Sequence, residues 1–361
     1  MSKHAELTRR KFLGATGVLA GAAASATLAA SSELQAAPET VGAATPPAGF
    51  KPLSLPGKIV KVTKGNDFGS LMQQNLLWPK PEVARQMLET ALTKLTGAPT
   101  LEAALAKFIH KDDVVAIKVN GIAGQTGATM AVNAELVLPV VQGLLKLGVP
   151  AEKITVYEQF GSYFAGTRIG KKDNKLPAGV KTGIHNNGDA TMKAITVFEK
   201  VKTKYVRVLT EATAVIDMTQ IKDHSICGYT GCLKNMTHGS IINPHDHHAH
   251  HASPQIAVLY AHEILKSRVR LHITDGYKII YDQGPLDKNP KRRIPHGAVY
   301  VATDAVAMDT IGWQVIEQAR KENGLKTLTQ AGREPTYIAK AADLGVGIHD
   351  KNKIRMQEVA I

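Results

Sequence analysis

The sequence predicts an α/β domain built on a mainly parallel sheet with helices on both faces, and three neighbouring segments carry the prediction. Val114-Val115-Ala116-Ile117-Lys118-Val119 is an almost unbroken β-branched run, as expected of a strand covered on both sides. A stretch of helical period follows over residues 134–147 and stops at Gly148. Ile154-Thr155-Val156-Tyr157 then supplies a second strand, and a strand–helix–strand unit of this length places its two strands parallel.

The other elements extend the same pattern. Ile59-Val60-Lys61-Val62 is a first strand, and residues 81–95 form a helix with Pro81 at its start, where a missing N–H costs nothing. Residues 161–204 are rich in Gly, Lys and Asn with weak periodicity, so they are expected to make an excursion over the sheet. Ala214-Val215-Ile216-Asp217-Met218 returns as a strand. Ser253 is the expected N-cap of a helix opened by Pro254 and running to Leu265. Residues 269–274 and 298–302 are further buried strands. Asp304 caps a helix to about Lys321, and Gly345 ends another over residues 336–344. There is no internal repeat, and one layered domain is the economical arrangement.

Ahead of this domain, Thr8-Arg9-Arg10-Lys11-Phe12-Leu13 precedes a weakly apolar Ala/Gly run to Ala30, the pattern of a twin-arginine export signal, with Ala36-Ala37 as small residues for cleavage. The expected organisation is a signal peptide over 1–36, a flexible Pro/Ala/Thr-rich tether over 37–56, and a single α/β domain over 57–361. The run is too weakly apolar for a lasting membrane span. A periplasmic protein is therefore expected, with the twin-arginine machinery as a partner. That route carries folded proteins, which favours a cofactor or metal acquired before export.

Removing residues 1–36 takes away Lys3, Arg9, Arg10 and Lys11 against Glu6 and Glu33, so the +13 of the whole chain falls only to +11. The basic residues are scattered and aromatics are 5%, which disfavours nucleic acid and favours a small anionic ligand. Cys227 and Cys232 are the two cysteines, too few for an iron–sulfur cluster. Their spacing leaves a disulfide, two unpaired thiols and a catalytic or metal role all open.

The densest polar stretch runs from Asp217 to Asn235. Its Lys222-x-His224 pair and Thr230-Gly231-x-Leu233-Lys234-Asn235 element stand between Ala116-Ile117-Lys118-Val119-Asn120 and Asp304-x-x-x-x-Asp309. Together these resemble the bacterial domain-of-unknown-function family 362, over roughly residues 58–358. The resemblance implies a shared α/β fold and a shared site, without implying a reaction. Other relatives carry a ferredoxin module that this chain lacks.

Physically, Lys118 and Asn120 stand at the carboxyl end of a parallel strand, where open α/β sheets place their ligand crevices. If the strand that ends near His224 is adjacent, Lys118, Asn120, Lys222, His224, Lys234 and Asn235 converge. Three ammonium groups there require a compensating anion or carboxylates, and Asp217, Asp223, Asp275, Asp304 and Asp309 are available. Lys118, Asn120 and Asn235 are the expected anion-binding residues, and His224, Lys222, Lys234 and Asp275 the expected catalytic ones. Thr274-Asp275-Gly276 is expected as a loop at a strand end, where Asp also suits a plain turn.

His245-Asp246-His247-His248-Ala249-His250-His251 places five imidazoles in seven residues. In a helical segment His247 would share a face with His250 or His251, so His245, His247, His248, His250 and His251, with Asp309, are candidate ligands for a divalent transition metal. Adventitious metal binding and a plain polar loop are the alternatives. Gly121-Ile122-Ala123-Gly124-Gln125-Thr126-Gly127 lacks dinucleotide spacing, and no Walker loop or nucleophile elbow occurs. Two functions remain: a metal-assisted periplasmic enzyme acting on a small anion, or a metal-binding or accessory protein for an exported redox complex.

Overall fold

The computed structural model describes residues 40–65, 67–124, 130–171 and 173–361. The expected signal peptide lies outside the described residues. Eleven strands are present among them: β1 (Lys58–Thr63), β2 (Val115–Lys118), β3 (Ile154–Glu158), β4 (Lys181–Ile184), β5 (Ile195–Phe198), β6 (Val201–Thr203), β7 (Ala214–His224), β8 (Gly228–Thr230), β9 (Val269–Ile280), β10 (Arg293–Ala302) and β11 (Arg355–Ala360). The main sheet runs β11-β1-β10-β9-β7-β2-β3-β4, with β8 hairpinned onto β7; β5 and β6 form a separate ribbon. β1–β11, β2–β3, β2–β7, β3–β4 and β7–β9 pair parallel, whereas β10 is antiparallel to both its neighbours.

Alternation along the strands divides the core in two. Val60, Val62, Val115, Ile117, Ile154, Val156, Ala214, Ile216, Leu271 and Ile273 face one side, under the helices Pro81–Thr96, Leu101–Leu105 and Ala134–Leu147. Ile59, Ala116, Val215, Ala298, Tyr300 and Ala302 face the other, under Cys232–Thr237, Ser253–Ala261, Ala305–Glu322 and Tyr337–Asp343. Both faces of the central strands are thus covered, and each fully buried Val, Leu or Ile contributes about 1.5–3 kcal/mol. Helix Ala134–Leu147 buries Leu136, Val137, Val140, Val141 and Leu144 as one stripe; Gly148 ends it at φ 96°, its N–H reaching the carbonyls of Leu144 and Leu145.

Several elements depart from the expectation. Residues 161–204 are more than an excursion: β4 adds a parallel strand at the sheet edge, and its Lys-Thr-Gly-Ile sequence hides it because an edge strand needs few apolar residues. β7 continues past Met218 to His224 and β9 past Thr274 to Ile280. Ala252, at φ 58°, is the N-cap of helix Ser253–Ala261, while the Ser253 hydroxyl bonds that of Thr336 at 2.7 Å. That helix stops at Ala261, and a short one, Glu263–Lys266, follows.

The stretch expected as a tether is laid along the body from residue 40 onward. Arg268 donates to the Gly42 carbonyl at 3.1 Å, the Ala44 N–H reaches Ser267, the Leu53 N–H reaches Lys107, and Phe50 packs on His110. Its backbone groups find partners on the domain even though its side chains are mostly small. Asp304 caps helix Ala305–Glu322 through the Ala307 N–H (2.9 Å), and its second oxygen accepts from Gly57 (2.9 Å) and Ile348 (3.0 Å).

Candidate functional site

A cleft of about 310 Å³ opens at the carboxyl ends of β2, β3 and β7. Parallel register sets its floor, because Lys118 pairs with Tyr157 on one side and Asp217 on the other. Lys118, Asn120, Glu158, His224, Thr230, Lys234, Asn235, His238, His245 and His248 line it, with Ile122, Phe160, Tyr163 and Pro285 as its apolar part. The convergence expected of Lys118, Asn120, His224, Lys234 and Asn235 is present, with Lys222 directly behind.

Each lysine meets a different environment. Lys118, 1% exposed, is ion-paired with Glu158 and donates to the Val119 carbonyl at 2.6 Å and Asn235 Oδ1 at 3.2 Å. A Cβ on Gly239 would lie 2.7 Å from Lys118 Cε, so that glycine makes room for the chain. Lys222, fully buried, donates to Asn120 Oδ1 (2.7 Å) and to the Ile122 and Met130 carbonyls (both 2.6 Å). Burial pulls its pKa down to about 7, opposed by the carboxylates of Asp287, Glu158 and Asp275. Three acceptor oxygens need three N–H groups, which favours the ammonium form. Lys234, 8% exposed, contacts His248 Nε2 at 3.3 Å. Burial lowers its pKa, and no carboxylate lies within ion-pair distance of it among the described residues.

Asn235 joins the lysines to a deeper chain of polar groups. Its Oδ1 accepts from Lys118 and from Asn120 Nδ2 (3.1 Å), and its Nδ2 donates to Asp217 Oδ1 at 2.7 Å. Asp217 Oδ2 contacts His272 Nδ1 at 2.9 Å, and His272 Nε2 contacts the Tyr260 hydroxyl at 3.1 Å.

The imidazoles have assignable tautomers. His224 Nδ1 accepts the N–H groups of Ile226 (3.1 Å) and Cys227 (3.4 Å), so the neutral ring carries its proton on Nε2. His248 is the reverse: Nδ1 faces the Pro244 carbonyl at 2.9 Å and must be protonated, leaving the Nε2 lone pair toward Lys234. The two rings stack, with centroids 5.6 Å apart, and His238 meets His248 edge-on at 4.8 Å. Burial, then the Lys234 charge, lowers His248 to about 4 and His224 well below its usual value. Thr230 also lines the cleft, and its buried hydroxyl makes no hydrogen bond.

Other expected site residues lie elsewhere. Asp275 stands inside β9, where it accepts from the backbone (2.8 Å) and side chain (2.7 Å) of Asn133 and from the Tyr277 N–H (3.3 Å). It ties the start of helix Ala134–Leu147 to the sheet, and the loop expected around it is strand because Tyr277-Lys278-Ile279-Ile280 continues the pairing. Asp309 caps a different helix, accepting from Cys232 (2.6 Å) and Leu233 (3.0 Å), and burial raises its pKa to about 8. A Cβ on Gly231 would lie 2.2 Å from Asp309 Oδ1, so the glycine of the Thr230-Gly231 element is a steric requirement of this cap. Gly121 and Gly124 are needed for closeness too: Cβ atoms there would lie 2.1 Å from the Tyr163 carbonyl oxygen and 2.7 Å from Gly166 Cα.

The histidine tract does not present one face. Residues 244–252 form a broken 3₁₀ segment in which His250 and His251 adopt left-handed φ of 52° and 59°. His245 reaches the cleft rim and His248 its wall, His247 is buried, and His250 and His251 are exposed, His250 against Phe198. Among the described residues, the group of three metal-ligating side chains with atoms within 4.8 Å of one another is Asp217, Cys232 and His272. Asp217 and His272 are already hydrogen-bonded, and burial holds the Cys232 thiol well above its usual pKa, so a metal there would have to displace protons. Both cysteines are free and buried.

Glu158 and Thr230 are among the cleft residues to which the sequence assigned no role. Glu158, 3% exposed, ends β3 beside Lys118, and a carboxylate following Ile154-Thr155-Val156-Tyr157 was the available signal. Thr230 sits inside the quoted motif, but only its missing partner marks it.

Fold and cleft together define an α/β protein with a cationic, imidazole-lined crevice at its strand ends. The chain belongs to the family described as Domain of unknown function (DUF362), whose model matches residues 115–314 and spans every polar residue of the cleft. Among solved structures, the lactate racemase apoprotein from Thermoanaerobacterium thermosaccharolyticum is similar at a TM-score of 0.35 and 10% identity, over 73% of this chain and 59% of that one. The chain thus spans less than two thirds of that protein. No curated protein matches the chain.

Proposed function

We propose that the cleft is the catalytic centre of an exported enzyme acting on a small anionic substrate. The observation that carries this is Lys234, a buried cation whose hydrogen-bond partner is a neutral imidazole. A buried charge without a counter-charge is costly, and a bound anion removes the cost. Lys234 holds the anion. His224 donates from Nε2 to charge that develops on substrate oxygen and acts as a neutral electrophile, because two backbone N–H groups occupy its Nδ1. Once Lys234 turns from His248 to the substrate anion, His248 accepts at Nε2 a proton released by the substrate, and the electron pair of the broken bond moves to the oxygen that His224 holds. The basicity of His248, suppressed by Lys234, rises when the substrate's negative charge arrives.

A divalent metal, if carried, would draw on imidazole nitrogens of His245 and His248 at the rim or on Asp217, Cys232 and His272, and would supply Lewis-acid polarisation; no step above passes through it. The exposed His250 and His251 favour a second reading, a metal-binding or accessory protein for an exported redox complex. Stoichiometric metal lost on deleting residues 245–251, with no turnover of any anion, would favour that reading. Export by the twin-arginine route to the periplasm belongs to the proposal and is checked by fractionation: replacing Arg9 and Arg10 with Lys should retain the protein in the cytoplasm.

The enzymatic test follows wild type, Lys234→Met and His248→Asn by NMR in D2O with a panel of small carboxylates and phosphate esters. Turnover or deuterium incorporation that falls about 100-fold or more in His248→Asn with binding retained supports the proposal. Equal rates in all three proteins, or no binding by wild type, overturns it.

A further inference from the structure

The cleft's charge count goes further than the presence of one cation. Its charged lining consists of Lys118, Glu158 and Lys234, and the first two are ion-paired. Directly behind stand Lys222, bonded to Asn120 and under the influence of Asp287 and Asp275, and Asp217, bonded to Asn235. Burial keeps His224, His238 and His248 neutral. Of the charged lining residues, Lys234 is the one without a charged partner among the described residues.

Two features that would suit a phosphate are already used. The first N–H groups of helix Cys232–Thr237 are taken by the two side-chain oxygens of Asp309, which occupy the place an anion would take. Gly121 and Gly124 close against Tyr163 and Gly166, so they pack backbone on backbone instead of cradling oxygen atoms. What remains is a second, independent sign of a ligand: the Thr230 hydroxyl, buried within a residue 4% exposed, lines the cleft without a partner. An ammonium and a hydroxyl match the two oxygens of a carboxylate. Ile122, Phe160, Tyr163 and Pro285 supply apolar surface for the rest of the molecule, and a volume of about 310 Å³ sets a small size.

We propose that the cleft selects a small organic monocarboxylate over sulfate or phosphate dianions, with Lys234 and Thr230 holding the carboxylate and the apolar wall holding its body. This rests on the cleft being the anion site proposed above. A dianion would bring one negative charge more than the single unpaired ammonium of Lys234 can balance in a desolvated place.

The test is calorimetric titration of the full mature chain with butyrate and with sulfate at pH about 6.5, where butyrate is a monoanion, sulfate a dianion and Lys222 still largely charged. Butyrate should bind wild type at least about tenfold more tightly than sulfate, Lys234→Met should lose about 100-fold, and Thr230→Val about three- to tenfold. Thr230→Val is nearly isosteric, so an unchanged melting temperature without ligand separates lost binding from misfolding. Sulfate binding as tightly as butyrate overturns the monocarboxylate assignment and leaves an anionic cleft standing. Failure of both anions to bind removes that cleft as well. Unaltered butyrate affinity in Thr230→Val overturns the role of Thr230.

Discussion

Both ends of the parallel strands bury cations, and they compensate them in opposite ways. At the amino end Arg270 forks onto Asp113 at 2.7 and 3.2 Å and donates to the Phe108 and Thr213 carbonyls, while Asp113 also accepts from His110 and Thr213. That charge is neutralised within the protein. At the carboxyl end three lysines share Glu158, amide oxygens, backbone carbonyls and an imidazole, and Lys234 has no carboxylate partner among the described residues. Burial is similar at both ends. The counter-ion distinguishes a structural cation from one held ready for a ligand.

The largest way to break this comparison is Asp113→Ala, which leaves Arg270 buried and unpaired and should cost about 3–5 kcal/mol in denaturant unfolding. Gly231→Ala comes next, because its Cβ would drive Asp309 off the Cys232 and Leu233 N–H groups, for a loss of about 1–2 kcal/mol. The pH dependence should be of similar size. His248 is depressed to about 4 in the folded state, so its contribution is full above about pH 6.5 and is lost as pH falls toward 4, where the unfolded ring takes the proton first. His248→Asn keeps a donor for Pro244 and should flatten the fall in stability by about 1 kcal/mol, allowing for the ring's partial exposure. Smallest is Lys234→Met, within about 1 kcal/mol of wild type or more stable, since it removes a buried charge that lacks a partner. A large loss there would mean that Lys234 is structural, like Arg270.

The fold was legible where periodicity and punctuation agree, as at helix Ala134–Leu147 with Gly148 and at β2 with its unbroken apolar run. β4 was not, because pairing at an edge leaves little trace in Lys-Thr-Gly-Ile. In the site, Lys118, Asn120, Lys222, His224, Lys234 and Asn235 could be brought together from strand ends alone, since parallel register forces neighbouring carboxyl ends to one edge. Asp275, expected as catalytic, and Asp309, expected as a metal ligand, do not line the cleft. Their partners, Asn133 and the Cys232–Leu233 backbone, are fixed by packing between elements, and no local pattern announces it. His250 and His251 are not aligned with His247 for another reason: left-handed backbone at consecutive histidines has no signature, and it cancels the helical spacing that would have placed the rings on one face.

The chain from Asn235 to Tyr260 also fixes the sense of an amide. Asp217 only accepts and Lys118 only donates, so the Asn235 carboxamide has one permitted orientation, its nitrogen inward and its oxygen toward the ammonium. Asn235→Asp would set carboxylate against carboxylate, and Tyr260→Phe would untie the far end of the same line. The mouth of the crevice is therefore governed partly from within the helix layer that covers this face of the sheet.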